Sequence, residues 1–457
     1  MSKVAEIKNQ VEEEEPPGFT TVRNDVVAAE EEEPPGSTAV TAGTAVINET
    51  TFFTKSSREN WNDWKWQFRN RITTVENLST VIPLSAKEKT QLKLVTAKYP
   101  LSVTPYYLSL INVYDPDDPI RKQAIPSFEE ITLGNVGFED PLGERRDSVV
   151  PGLVHRYPDR ALMVLTDICP MFCRHCTRKR EWHNGGWVRT PAEIKAMLDY
   201  IRRHRNLRDI ILSGGDPLTL STRRLEDVIS KLRQIDHVEI IRIGTRFPVV
   251  LPHRIDNELC DMLAKYGPIW LNTQFNHPNE ITSESAAACD RLLRAGIPVN
   301  NQSVLLRGIN DDVRTQIKLC NGLLKIKVRP YYLFQCDEVR GTEHLRTPVE
   351  TGIKIIDGMR GRTSGLAIPT FVIDLPEGGG KVPLQPNYVL TQTKEELVLR
   401  NYQGRFVWYR NPKDKNLPES PFEPELTTEP FSTSFNEAPR QLQPVRVRNE
   451  NRSRLRP

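Results

Sequence analysis

An α/β fold, a partial (β/α)6 barrel with an N-terminal helical region and disordered tails, is predicted by three features of this chain. From Ala161 onward, short β-rich runs alternate with helical patterns roughly every 30 residues. Six such repeats imply parallel strands joined by right-handed crossovers, yet are too few to close an eight-stranded barrel. The first of these strands runs into a loop carrying three cysteines, at the strand end where barrels gather their chemistry.

Residues 1–50 are expected to be a disordered acidic tail. They repeat Glu12-Glu13-Glu14-Glu15-Pro16-Pro17-Gly18 as Glu30-Glu31-Glu32-Glu33-Pro34-Pro35-Gly36, where like charges repel and proline pairs stop helix growth. Residues 51–150 form a helical region, with Trp61, Trp64, Trp66, Phe68 and Ile72 as an apolar stripe from Trp61 towards Leu110. The barrel occupies 151–392, with strands at Ala161–Thr166, Asp209–Ser213, Val238–Ile243, Ile269–Thr273, Val299–Val304 and Val328–Phe334. A helix after the cysteine loop is signalled by Thr190 as N-cap, Pro191 in the first turn and Glu193 closing a capping box. Residues 393–457 are a C-terminal extension ending in a basic tail, with six arginines and one glutamate between Arg440 and Pro457.

The 457 residues suffice for two or three structural units. Seven cysteines, three of them in one loop and none in evenly spaced pairs, argue for a cytoplasmic or other reducing compartment. No apolar run approaches membrane-spanning length, and a net charge of +3 does not suggest nucleic-acid binding.

Three motifs carry chemistry. Cys169-Pro-Met-Phe-Cys173-Arg-His-Cys176 puts three thiolates on one compact loop, matching three corners of a cubane [4Fe–4S] cluster and leaving one iron free. Ser213-Gly214-Gly215-Asp216-Pro217 ends the second strand with two glycines that let backbone approach a ligand closely; a tight turn is an equally good reading. Asp374-Leu375-Pro376-Glu377-Gly378-Gly379-Gly380-Lys381 is either a mobile glycine loop or a turn presenting a lysine to an aldehyde cofactor as a Schiff base. It is not a nucleotide P-loop, because the first glycine and the hydroxyl residue after the lysine are missing.

The CxxxCxxC loop resembles that of the radical S-adenosylmethionine (SAM) enzymes, in which SAM chelates the open iron. Further stretches resemble the lysine 2,3-aminomutases, the pyridoxal 5′-phosphate (PLP) branch of that superfamily. They include Trp61-Asn-Asp-Trp-Lys-Trp, Thr104-Pro-Tyr-Tyr-Leu-Ser-Leu, Pro151-Gly-Leu-Val-His-Arg-Tyr-Pro-Asp-Arg160, Phe275-Asn-His-Pro-Asn-Glu280, Asn301-Gln-Ser-Val-Leu-Leu-Arg-Gly308 and Arg329-Pro-Tyr-Tyr-Leu-Phe-Gln-Cys-Asp337. Position by position, the resemblance implies that Cys169, Cys173 and Cys176 hold the cluster and that Lys381 binds PLP. It implies that Tyr157, Arg160 and Arg246 surround the PLP phosphate and ring, and that Gly214, Gly215, Asp216 and Gln302 contact SAM. Arg178 falls where the family pairs with the substrate carboxylate, and Asp337 and Asp374 where it receives the distal ammonium of lysine. The glutamate enzymes carry a lysine and an asparagine at those two places. The implied reaction moves the α-amino group of free L-lysine to the β carbon, with a one-electron reductant protein as partner.

Two departures stand out. The C-terminal cysteine cluster that binds structural zinc between subunits is lacking: no cysteine follows Cys336, and Asp312 stands at the fourth ligand position. No zinc is expected, so a homo-oligomer would need a basis other than that bridge. Leu375 and Glu377 replace the family's alanine and glycine beside Lys381, and an added acid there opens the alternative of arginine as substrate. A lysine side chain on a protein is another alternative. A non-catalytic iron–sulfur sensor would need the cysteines but not Lys381, Arg178 or the two aspartates.

Overall fold

The structure, a computed structural model, describes residues 58–182 and 186–412, without the side chains of Arg58, Glu59 and Glu377. The acidic tail and the basic stretch from Arg440 lie outside the described residues. The described chain falls into two compact units, divided between Pro386 and Asn387.

The first unit is built on one ten-stranded sheet whose spatial order follows the chain order. Its strands are β1 (Ser148–Val150), β2 (Leu153–Tyr157), β3 (Arg160–Val164), β4 (Asp209–Ser213), β5 (Ile240–Gly244), β6 (Ile269–Thr273), β7 (Val299–Leu305), β8 (Arg329–Gln335), β9 (Thr370–Leu375) and β10 (Gly380–Pro383). Every neighbouring pair from β3 to β9 is parallel, while β1, β2 and β10 add antiparallel edges. The six expected strands are therefore present as β3–β8. A seventh parallel strand, β9, was not among them. Its residues end in the Asp-Leu-Pro-Glu segment that reads as the start of a glycine loop, and its short apolar run is too brief to stand out by period.

Helices cross between the parallel strands: α1 (Pro191–Arg203), α2 (Thr222–Arg233), α3 (Asn257–Ala264), α4 (Ser283–Arg294), α5 (Val313–Lys325) and α6 (Val349–Met359). The capping box of Thr190 and Glu193 opens α1 as expected, with Ile194, Met197, Leu198 and Ile201 on the buried face. Along β3, β4 and β5 alternate residues are fully buried, as in Ala161 and Met163, Ile210 and Leu212, Ile241 and Ile243. The intervening residues are half-buried, the pattern of strands with packed helices on one face and a partly open lumen on the other. The sheet curls until its edges meet without pairing: the Lys381 backbone N–H on β10 donates to Tyr157 Oη on β2 at 3.2 Å.

The N-terminal region is helical but broken into short pieces, including Trp64–Arg69, Ala86–Lys98 and Pro105–Leu108. Asp63 and Thr104 each cap a new helix with the side chain, and Ile72 leaves the expected stripe to bridge Val103. Trp64 does belong to the core, edge-on to Phe247 at 6.5 Å. The second unit is a three-stranded meander, β11 (Val389–Gln392), β12 (Glu396–Arg400) and β13 (Phe406–Arg410). Among the described residues no helix is long and apolar enough to cross a membrane.

Candidate active site

The parallel strands deliver their C-terminal ends to one rim, which holds two clusters of chemistry. The first is the cysteine loop after β3. Its backbone is tied down on several sides: Arg71 donates to the Cys169 carbonyl at 2.5 Å, Phe172 N to Ser102 O at 2.9 Å and Arg174 N to Gln123 O at 2.9 Å. The turn after β4 braces it from the other side, with Gly215 N on Thr166 O at 2.5 Å and Asp216 N on Ile168 O at 2.8 Å. A Cβ at Gly214 would overlap the Thr166 carbonyl, and one at Gly215 the Ile168 carbonyl, so both positions demand glycine.

All three thiols are free. Burial, then Cys176, Asp216 and Cys173, push the Cys169 thiol well above its ordinary range; burial, then Cys173, push Cys176 up. Three crowded thiolates thus call for positive charge between them, which iron supplies. No three His, Cys, Asp or Glu side chains among the described residues converge as the ligands of a single ion would; a cubane takes its thiolates at separate corners. The donor set fits the cluster. Beside it lies a cavity of about 150 Å³ lined by Cys169, Cys176, Gly214, Gly215, Val164 and Trp187.

Several site residues have partners that the sequence reading did not foresee. Arg246, expected at PLP, spends its donors on the cysteine loop and its support: Cys173 Sγ at 2.9 Å, Glu280 and Gln123 at 2.6 Å each, and the Gln274 carbonyl at 3.0 Å. It follows β5, whose end faces that loop rather than the β2–β10 seam. Asp216 is likewise occupied, accepting from Thr245 Oγ1 at 2.7 Å, Arg246 N at 2.8 Å and Leu218 N at 3.1 Å. Burial raises its pKa to about 7. It positions the glycine turn rather than offering a free carboxylate. Arg178 grips Glu144 with Nε and Nη2 at 2.9 and 2.6 Å and sends Nη1 to the Gly214 carbonyl at 2.9 Å, so a carboxylate already fills its fork. Gln302 sits on β7 in register with Tyr332 of β8.

The second cluster lies where β8, β9 and β10 meet β2. Lys381 and Asp374 are cross-strand partners, with Nζ at 2.7 and 3.0 Å from the two carboxylate oxygens. The ammonium also lies over the Phe334 ring, 5.3 Å from its centroid. Asp337, just past β8, faces the same group: burial, then the Asp374 carboxylate, raise its pKa to about 7. Arg160 stacks on the Tyr157 ring at 3.9 Å. Gly378 has φ 77° and Gly380 φ 84°, and a Cβ at Gly378 would run into the guanidiniums of Arg146 and Arg156. A lysine on the strand that follows a glycine turn, beside arginines and an aromatic ring, fits an aldehyde cofactor bearing a phosphate.

Three carboxylate-centred contacts escaped the sequence reading. Glu144 lies 2.8 Å from Arg180 as well as gripping Arg178; burial opposes its charge, but Arg178 and Arg180 hold its carboxyl down at about 2. Glu130, fully buried, accepts from Arg174 at 2.6 Å and Lys179 at 2.8 Å beneath the cysteine loop. Glu280 anchors Arg246. None of them stands out from its neighbours in the sequence: Glu144 is followed by Arg145, Arg146 and Asp147, Glu130 follows Glu129, and Glu280 follows His277-Pro278-Asn279.

Residues 163–319 match the model of the radical SAM superfamily, and with the cysteine loop at the rim of a parallel sheet this makes the chain a radical SAM enzyme. Residues 356–449 match the lysine-2,3-aminomutase model. The chain is 54% identical to an L-lysine 2,3-aminomutase of Clostridium subterminale over 360 residues, covering 79% of this chain and 86% of that protein. It is 48% identical to one of Bacillus subtilis (78% and 76% covered) and 44% identical to a glutamate 2,3-aminomutase of Clostridioides difficile (77% and 83% covered). The chain belongs to the lysine 2,3-aminomutase family and is an isomerase. Membership implies a [4Fe–4S] cluster and SAM.

Proposed function

We propose that this enzyme moves the α-amino group of L-lysine to the β carbon, with PLP carried on Lys381 and a one-electron reductant protein as donor. Relatives named for lysine reach 54% identity and one named for glutamate 44%, so overall identity leans towards lysine, and a local feature has to carry the choice. The observation that carries the choice is the pair of carboxylates, Asp337 and Asp374, beside Lys381. Two acids in a poorly solvated site attract an ammonium and repel a carboxylate.

When bound, the cluster supplies the electron that cleaves SAM, SAM the agent that takes a hydrogen atom from the substrate, and PLP an aldehyde that carries the migrating nitrogen. The chain does the rest. Cys169, Cys173 and Cys176 hold three corners and leave the fourth to SAM. Gly214 and Gly215 keep that approach clear. Tyr157 and Arg160 would bound the PLP pocket, and Gln302 on β7 would contact SAM. Arg178 takes the substrate carboxylate as Glu144 yields its fork and stays with Arg180, 2.8 Å away. Asp337 and Asp374 fix the far end of the side chain, so the β carbon is held at a set distance from both cofactors.

The test is turnover by the anaerobically reconstituted protein of lysine, arginine and glutamate, each alone. β-Lysine should be the main product. Joint replacement Asp337→Lys with Asp374→Asn should reduce kcat/KM for lysine roughly a thousandfold, since the substrate ammonium would meet a like charge. Near-parental turnover of lysine by that variant would refute the reading, and preferential turnover of arginine would shift the substrate.

A further inference from the structure

The Arg246 side chain is 6% exposed, and three stretches of chain hold its guanidinium. Nε donates to the Gln274 carbonyl just past β6 at 3.0 Å. Nη2 donates to Glu280 Oε1 and to Gln123 Oε1, the latter on the helix Pro119–Ala124, and at 3.4 Å to Tyr107 Oη on the helix Pro105–Leu108. With these donors fixed, Nη1 is left to meet the Cys173 sulfur at 2.9 Å. Cys176 Sγ accepts instead a neutral backbone N–H, that of Arg178 at 3.3 Å, and among the described residues no other side-chain cation donates to a sulfur of this loop. Glu280 does not cancel the Arg246 charge alone. Its carboxylate also accepts from Tyr107 Oη at 2.6 Å and from the N–H groups of Asn276 and His277 at 2.5 and 2.9 Å.

We propose that Arg246 sets the reduction potential of the cluster: the charged N–H that it donates to Cys173 stabilises the reduced state and brings it within reach of the reductant protein. This rests on the three cysteines as cluster ligands and is independent of the substrate. In the step concerned the reductant loses one electron and the cluster gains it; no bond in the chain forms or breaks and no proton moves. The reduced cluster carries one more negative charge, shared in part by its thiolate sulfurs, and a hydrogen bond from a cation strengthens as its acceptor becomes more negative. Burial in a low dielectric opposes that added charge and makes a fixed cation beside it count for more. Arg246 is thus a positioning residue that acts through Cys173.

The test is the midpoint potential of the cluster in the anaerobically reconstituted, SAM-free, full-length protein, from a mediated redox titration followed by electron paramagnetic resonance. The midpoint is read from the clusters that have formed, so partial loading does not shift it. In Arg246→Met with Glu280→Gln, which removes cation and counter-ion together, the equilibrium constant for reduction should fall about tenfold, equivalent to about 59 mV for one electron. Glu280→Gln alone should raise it, because the guanidinium keeps its hold on Cys173 and loses its nearest anion. Arg246→Gln, which should also lower the midpoint, replaces the double variant if that protein assembles no cluster. Opposite shifts separate tuning from bracing, since a residue that only props the loop changes iron content or Tm and leaves the midpoint alone. Equilibrium constants within about twofold of the parent in cluster-bearing variants would overturn the proposal and leave the cysteine assignment standing. A lowered midpoint in Glu280→Gln would overturn it as well.

Discussion

Replacing Glu130 with Gln isolates the charge of one buried carboxylate while keeping its shape. Glu130 is 0% exposed and bridges Arg174 (Nη2 at 2.6 Å, Nε at 2.9 Å) and Lys179 (2.8 Å), while also accepting from Ser127 N at 2.9 Å. Arg174 in turn donates to the Pro100 and Tyr99 carbonyls, and Lys179 to the Gly341 carbonyl. A glutamine keeps the Ser127 bond but leaves two buried cations without a counter-charge. Breaking such a pair typically costs about 3–5 kcal/mol. The titration agrees: burial opposes the charge, but Arg174 and Lys179 hold Glu130 at about 2 against an ordinary 4.5, a difference of about 3 kcal/mol. A loss of that size should lower the Tm of the cofactor-free protein at pH 7 by about 5–10 °C. The sign follows from linkage. Because the folded pKa is depressed, the contribution is present above pH 4.5 and is lost as the pH falls towards 2. The gap between Glu130→Gln and the parent should therefore shrink between pH 5 and pH 3. Scanning calorimetry at the three pH values checks both points, and iron bound after anaerobic reconstitution checks the cysteine loop above the triad. A Tm at pH 7 within about 1 °C of the parent would refute the view that this triad carries net stability.

Cys173→Ala should abolish both the charge-transfer absorption of the iron–sulfur cluster and SAM cleavage, since two thiolates hold a cubane poorly and Arg246 loses its sulfur acceptor; normal cleavage by this variant would remove the cluster assignment. Asp337 has a raised pKa of about 7 against an ordinary 3.8, so ionising it costs stability progressively as the pH rises across that window. Asp337→Asn in the cofactor-free protein should accordingly gain in Tm relative to the parent between pH 5 and pH 8, by the equivalent of about 1–3 kcal/mol. An equal gap at both pH values would show that Asp337 is not perturbed as described.

Local signals carried what a short stretch of chain can encode. Three cysteines within eight positions need no tertiary information to be adjacent, and Thr190, Pro191 and Glu193 specify a helix start within four residues. The alternating apolar runs of β3–β8 were legible because each strand buries one face under a helix. Lys381 and Asp374 were legible as a motif, and the hairpin makes them neighbours by register.

Partnership across the fold was not legible. Arg246 meets Cys173 across 73 positions, Arg174 meets Glu130 across 44 and Arg178 meets Glu144 across 34. An arginine's charge announces only that it wants an anion; which one it finds depends on the strand end that carries it. β5 delivers Arg246 to the sulfur side of the rim, and the Tyr157 seam formed by the meeting of β2 and β10 delivers Lys381 to the other. The residue types on the rim were set by the sequence, but the curl of the sheet decided which of them share a pocket, because only closure of that curl brings opposite edges within hydrogen-bonding distance.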